Sequence, residues 1–162
     1  MAKPRVVVVR ARGLLESAGD IDAPRLLRVY ERGLRSLTGA ASLAEGLAVL
    51  RDAPPGVRLA LEPLNRYETD LIHTVSEGLN LLEQVGAENV GLLLDTFHMN
   101  IEEPRIEDSI YACGSRIFHF HVADSNRWYP GAGHLDFHSI ISALYAAGYT
   151  GYISGEFLPE PD

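Results

Sequence analysis

A run of small and apolar residues, Gly91 to Leu94, leads directly into Asp95, and His98 follows three positions later. So short a run, ending in a charge, suits a buried parallel strand whose last residue emerges into a site. In α/β sheets and barrels, ligands sit beyond the carboxyl ends of the strands. Asp95 and His98 therefore occupy the place where such folds keep their chemistry. The same pattern recurs along the chain. Val57 to Leu61 delivers Glu62 ahead of Pro63, Ile117 to Val122 delivers His119 and His121, and Tyr152 to Ser154 delivers Glu156. Val6 to Val9 is a compact β-branched run and reads as one more strand.

Helical patterns separate these runs. Arg10 to Gly19 is polar and glycine-punctuated, which reads as a loop. Asp22 and Pro24 can open a helix with Leu26, Leu27, Tyr30, Leu34 and Leu37 on one face. Ser42 and Glu45 offer a capping box further on, so one long helix and two shorter ones both fit before Pro54, Pro55 and Gly56. Thr69 is the expected cap of a helix that turns Ile72, Val75, Leu79, Leu82 and Val85 inward and closes at Gly86. Ile106, Ile110 and Cys113 define a short helix ending at Gly114. Asp136 caps a last one, with Ile140, Ile141, Leu144 and Tyr145 inward and Gly148 at its end. Strict alternation with short connections implies a parallel sheet with right-handed crossovers. Successive strand ends lie roughly 30 residues apart, as in a (β/α) barrel of about 250 residues. The fold expected is α/β of the TIM-barrel type, with residues 1–162 as a single domain.

Composition narrows the partners. The 162 residues carry a net charge of −8, with a pI of about 5.2 and no basic run. That excludes a nucleic-acid backbone as the main partner. No apolar run reaches the length of a membrane span or a signal-peptide core. Cys113 is the sole cysteine, so no internal disulfide forms and a reducing cytoplasm is the expected location.

Four consecutive strand ends carry Glu62, Asp95, His121 and Glu156. In a barrel these ends converge on one mouth, and three carboxylates meeting there without strand-end lysine or arginine repel one another. A divalent cation resolves that repulsion. Oxygen-rich ligation with one nitrogen favours Mn²⁺, Mg²⁺ or Co²⁺ over the sulfur- and histidine-rich sites typical of zinc. His119, two residues before His121, reads as a packing residue on the same face. Trp128 and Tyr129 read as a loop anchor or a subunit contact, and Phe97 and Met99 as core. The Gly131–Gly133 turn lacks the strand–turn–helix setting of a phosphate loop.

Four motifs make a family resemblance specific: LEPLNRYET (61–69), LDTFHMNIEE (94–103), HFHVADSNR (119–127) and GE (155–156). Together they resemble the sugar ketose 3-epimerases of the D-tagatose/D-psicose 3-epimerase type, within the xylose-isomerase-like superfamily. The resemblance implies that Glu62, Asp95, His121 and Glu156 bind a divalent metal, Mn²⁺ first and Co²⁺ or Mg²⁺ as alternatives. It implies that Glu68, His98 and Arg127 contact substrate hydroxyls. It also implies that Glu62 and Glu156 are the catalytic pair, exchanging a proton beside the ketose carbonyl through a cis-enediolate.

The resemblance runs from Val57 to Glu156, and residues 1–56 match only loosely, as a fourth strand and helix. The expectation is an incomplete barrel, about strands 4–8 of 8, with open edges that a partner chain or self-association covers, or else a truncated product that folds poorly. Two other functions stay open beside the epimerase. One is an aldose–ketose isomerase of the hydroxypyruvate isomerase type, and the other is an inactive or partner-dependent half-barrel. An endonuclease-IV-like activity needs more histidines and a basic face, and the acidic pI speaks against it.

Overall fold

The computed structural model describes residues 5–9, 15–17, 57–69 and 71–157. Six strands form one sheet: β1 (Arg5–Val9), β2 (Leu15–Ser17), β3 (Val57–Leu61), β4 (Val90–Asp95), β5 (Ile117–Val122) and β6 (Ile153–Gly155). Their order is β2-β1-β3-β4-β5-β6. All neighbours run parallel except β1 and β2, which pair antiparallel. The stretch expected to be a loop, Arg10 to Gly19, thus contains a short return strand. Three residues are too few to show a period of two, so the sequence held no signal for it. The helices expected between residues 22 and 50 lie outside the described residues.

Among the described residues, four α-helices accompany the strands: α1 (Val75–Val85), α2 (Thr96–Glu102), α3 (Ile106–Cys113) and α4 (Phe137–Ala146). α1 starts five residues later than Thr69 suggests. Its cap is Thr74, whose hydroxyl accepts from the Glu77 N–H at 3.2 Å while the Glu77 carboxylate accepts from the Thr74 N–H at 3.0 Å. This reciprocal capping box outcompetes a lone threonine. Ile72 is buried ahead of the helix, so it matches the apolar period without being helical. Gly86 closes α1 with φ 62°, a left-handed position that favours glycine. α4 begins at Asp136, whose carboxylate accepts from the N–H groups of His138 and Ser139. Ile140 and Leu144 turn inward as expected, but Ile141 and Tyr145 are exposed. One helical position of rotation, 100°, carries them off the apolar face.

α1 packs on β4 and on α3, and α3 packs on α4. The main core lies between these helices and one face of the sheet, where Leu59, Leu61, Leu92, Leu94 and Phe120 are buried together. The opposite face carries Ala60, Leu93 and Phe118. Side chains alternate along a strand, so Glu62 extends the row of Ala60 and Asp95 the row of Leu93. The pairing of β4 with β5 slips between Leu92 and Leu93, which face Ile117 and His119 respectively. Phe118 is the extra residue of this bulge, and its ring lies over Gly91, where an added Cβ would sit 2.5 Å from it. The slip sets the register that brings Asp95 beside His121.

Candidate metal centre

Glu62, Asp95, His121 and Glu156 meet at the carboxyl ends of β3, β4, β5 and β6. Each offers one ligand atom, and all four atoms lie within 4.8 Å of one another. His121 Nδ1 is the hub, 2.9 Å from Glu156 Oε2 and 4.0 Å from both Glu62 Oε1 and Asp95 Oδ2. Glu62 and Asp95 are each 1% exposed. Burial makes such acids costly unless charge is compensated.

Backbone geometry aims these groups. Asp95 ends β4 and caps α2: Oδ1 accepts from the Phe97 N–H at 2.8 Å, while Oδ2 faces His121. The helix following so directly was not legible in the sequence, because strand and helix share Asp95 with no loop between them. Thr96 then locks β4 to β5. Its hydroxyl donates to the Ala123 carbonyl at 2.6 Å and accepts from the Ala123 N–H at 2.9 Å. At the last strand end, the Glu156 N–H donates to the Val122 carbonyl at 3.1 Å.

The three remaining site candidates surround this cluster. His98 is buried on α2, with Nε2 3.9 Å from Glu62 Oε1 and Nδ1 3.9 Å from Glu68 Oε1. Arg127 reaches in from the loop after β5, with Nη1 3.7 Å from Asp95 Oδ2 and Nη2 3.5 Å from Glu156 Oε2. Its Cζ lies 4.5 Å over the Phe97 ring, so Phe97 supports the guanidinium rather than filling the core. Met99 is core, as expected. His119 lies beneath His121, edge to face at 4.9 Å between ring centroids, with Nε2 2.9 Å from Ser154 Oγ.

An arginine therefore does enter the cluster, although none stands at a strand end. It alters the charge count without cancelling it. Three ionised carboxylates against one guanidinium leave two negative charges, which one divalent cation matches. The donor set of carboxylate oxygens and one imidazole nitrogen fits a hard or borderline ion.

Two residues that the sequence did not single out hold these groups in place. Asp124 is fully buried and organises the Arg127 loop. Its carboxylate accepts from the N–H groups of Ser125 at 2.7 Å, Gly131 at 2.8 Å and Leu135 at 3.2 Å. Burial pushes this acid up, but the backbone donors of Gly133, Ser125, Leu135 and Gly131 together outweigh it and hold it at about 2. Arg127 itself has φ 66°, a left-handed conformation that costs a non-glycine residue about 1–2 kcal/mol. The Arg127 N–H donating to the Asp124 carbonyl, and the Asp124 N–H to that of Trp128, both at 2.8 Å, hold it there. Asn65 is the second residue, buried in the β3 loop against His98 and Glu68. Both lie inside the motifs quoted above, and a buried polar residue beside a strand-end acid is the signal that marks them.

The fold and site define an α/β protein of the barrel type with a carboxylate–histidine centre at the carboxyl ends of its strands. The chain belongs to the xylose isomerase-like TIM barrel family, whose model matches residues 8–162. It is 40% identical over 124 residues to a D-psicose 3-epimerase of Agrobacterium fabrum, covering 76% of this chain and 40% of that protein. It is 43% identical over 155 residues to an L-ribulose 3-epimerase of Mesorhizobium japonicum, covering 93% of this chain and 50% of that one. Among solved structures, a 3-keto-D-glucoside 4-epimerase from E. coli superimposes with a TM-score of 0.71 at 33% identity. That match covers 74% of this chain and 46% of the other. The chain thus spans half or less of the length of these relatives. Among the described residues the sheet does not close into a barrel, and no helix is long and apolar enough to cross a membrane.

Proposed function

We propose that the chain carries the metal and proton-transfer half of a ketose 3-epimerase. One observation carries this reading: Glu62, Asp95, His121 and Glu156 converge within 4.8 Å, with Glu68, His98 and Arg127 around them. The relatives named as 3-epimerases support it. We read residues 1–162 as one partial barrel domain, with the cytoplasm as its location.

In this reading Glu62, Asp95, His121 and Glu156 hold a divalent ion, Mn²⁺ by preference and Co²⁺ or Mg²⁺ as alternatives. When bound, the ion supplies Lewis acidity toward a ketose carbonyl and its neighbouring hydroxyl. The chain's own residues move the proton. Glu62 and Glu156 follow β3 and β6, separated by β4 and β5, so they approach a bound sugar from different sides. One takes the C3 proton and the other returns it on the opposite face, which inverts the carbon. His98 and Arg127 donate hydrogen bonds to the oxygen on which negative charge develops. Glu68 orients a hydroxyl.

The test is deuterium uptake at C3 of a free ketose in D₂O with Mn²⁺ present. Uptake at C3 supports the epimerase, uptake at C1 of the ketose points to an aldose–ketose isomerase, and no uptake by the metal-loaded chain with its open edge covered contradicts both.

The sheet's open end favours a second element of this reading. Among the described residues β6 ends the strand order, and Tyr152, Ile153 and Phe157 beside it are exposed. Such an edge invites pairing. We propose that a second copy or a partner polypeptide covers it, and that full activity depends on that cover. Sedimentation of the isolated chain at several concentrations distinguishes a self-associating chain from a monomer.

A further inference from the structure

We propose that Arg66 and Glu102 form a positioning clamp, docking the turn after β3 onto the end of α2 and thereby setting where Glu68 meets a sugar hydroxyl. The role given to Glu68 rests on the epimerase reading, but the clamp stands without it. Glu102 accepts from three N–H groups of one residue. Its Oε1 takes the Arg66 backbone N–H at 2.6 Å and Nε at 3.0 Å, while Oε2 takes Nη2 at 2.9 Å. Such charge-assisted, two-pronged pairing fixes direction as well as distance.

For α2 taken alone, the placement of Glu102 is unfavourable. It is the last residue of the helix, with Glu103 as the cap, and the carbonyl end of a helix repels negative charge. Both acids are matched by donors from other elements. Glu103 accepts from the Val75 N–H and the Ser109 hydroxyl, each at 2.6 Å, tying α2 to α1 and α3. Glu102 ties it to the β3 turn instead. The Glu102 side chain is 4% exposed and that of Arg66 60%, so the acid is enclosed while the arginine faces water.

His98 and Glu102 stand four residues apart, on one face of α2, and both reach the same turn. His98 Nδ1 lies 2.8 Å from Asn65 Nδ2, and Glu102 holds the next residue. The turn is wound tightly around Asn65. Its Oδ1 accepts from the Tyr67 N–H at 3.0 Å, its carbonyl accepts from the Glu68 N–H at 3.0 Å, and its Nδ2 donates to Glu68 Oε1 at 2.9 Å. Moving the Arg66 backbone therefore moves Glu68 with it. The Glu68 side chain is 40% exposed, within reach of a ligand, and misplacing a positioning group by about 1 Å can cost on the order of 100-fold. A loosened turn weakens sugar binding without touching the proton path of Glu62 and Glu156.

Two measurements test this. In amide hydrogen exchange followed by NMR, the Arg66 N–H of the full chain is expected to be protected. Glu102→Ala is expected to speed its exchange, with that of Tyr67 and Glu68, about tenfold or more while β4 is unaltered. An unprotected Arg66 N–H, or equal rates in the two proteins, overturns the clamp. In ketose turnover with Mn²⁺, Glu102→Ala is expected to raise KM about tenfold with kcat and Mn²⁺ affinity little changed. Added to Glu68→Gln, it is expected to raise KM by less than about twofold further, because both act through one contact. Should Glu102→Ala fold poorly, Arg66→Met at the exposed side of the pair takes its place with the same expected direction. An unchanged KM, or effects that multiply with Glu68→Gln, overturns the link to Glu68. A protected Arg66 N–H in an unmodified chain that shows no turnover with its open edge covered overturns the epimerase reading and leaves the clamp supported.

Discussion

Thr96 and Ala123 are joined by two reciprocal hydrogen bonds, hydroxyl to carbonyl at 2.6 Å and N–H to hydroxyl at 2.9 Å. Thr96 directly follows Asp95, and Ala123 lies two residues beyond His121, so this pair sets the spacing of two candidate ligands. Thr96→Val keeps the shape but leaves both Ala123 backbone groups without that partner. Each loss costs about 1–3 kcal/mol in a buried setting. Urea denaturation is expected to show a loss of at least about 2 kcal/mol, with Thr96→Ser close to the native value. An unchanged midpoint for the valine variant contradicts the locking role.

Glu156→Gln removes a proton carrier while preserving size. At saturating Mn²⁺ it is expected to abolish deuterium uptake at C3, with the circular dichroism spectrum unaltered. Full uptake in this variant removes Glu156 from the proton path.

Gly91→Ala tests the bulge that sets the register. The new Cβ meets the Phe118 ring at 2.5 Å and the Arg116 carbonyl at 2.7 Å, and the Arg58 guanidinium stacked on that ring at 3.3 Å limits its escape. Overpacking of this kind costs about 1–3 kcal/mol, read as a lowered urea midpoint. A neutral Gly91→Ala would mean that Phe118 moves freely.

Much of this arrangement was legible in the sequence, for particular reasons. Glu62, Asp95, His121 and Glu156 each follow a short apolar run, and parallel strands buried on both faces produce such runs. What escaped notice depended on contacts distant in the chain. Thr69 and Thr74 compete for one helix start, and the Glu77 carboxylate decides between them. Ile141 and Tyr145 fit an apolar period loosely, and only the position of α3 shows which side of α4 is covered. Arg127 reads as a surface residue until the Asp124 loop folds it back over Phe97. Asn65 shows no role until α2 brings His98 against it.

Asp124 gives the loop a pH signature. Its folded pKa, about 2, lies below the ordinary value near 4. A depressed acid contributes stability above its unfolded pKa and loses it as pH falls through the folded value. The contribution, on the order of 2 kcal/mol, is expected to be complete above pH ~4 and to fade toward pH ~2. The stability gap between the native chain and Asp124→Asn, measured by urea melts, is expected to be flat from pH 7 to 5 and to narrow below 4. A gap that widens on acidification contradicts this assignment.

The central claim is that four strand ends form one divalent-cation site, and calorimetric titration with Mn²⁺ tests it most directly. Asp95→Asn is the matched control, because asparagine retains an oxygen to cap the Phe97 N–H while removing one ligand charge. The expected result is one saturable site per chain, weakened about tenfold or more in Asp95→Asn. No saturable binding to the folded chain, or equal affinity in the two proteins, contradicts the account.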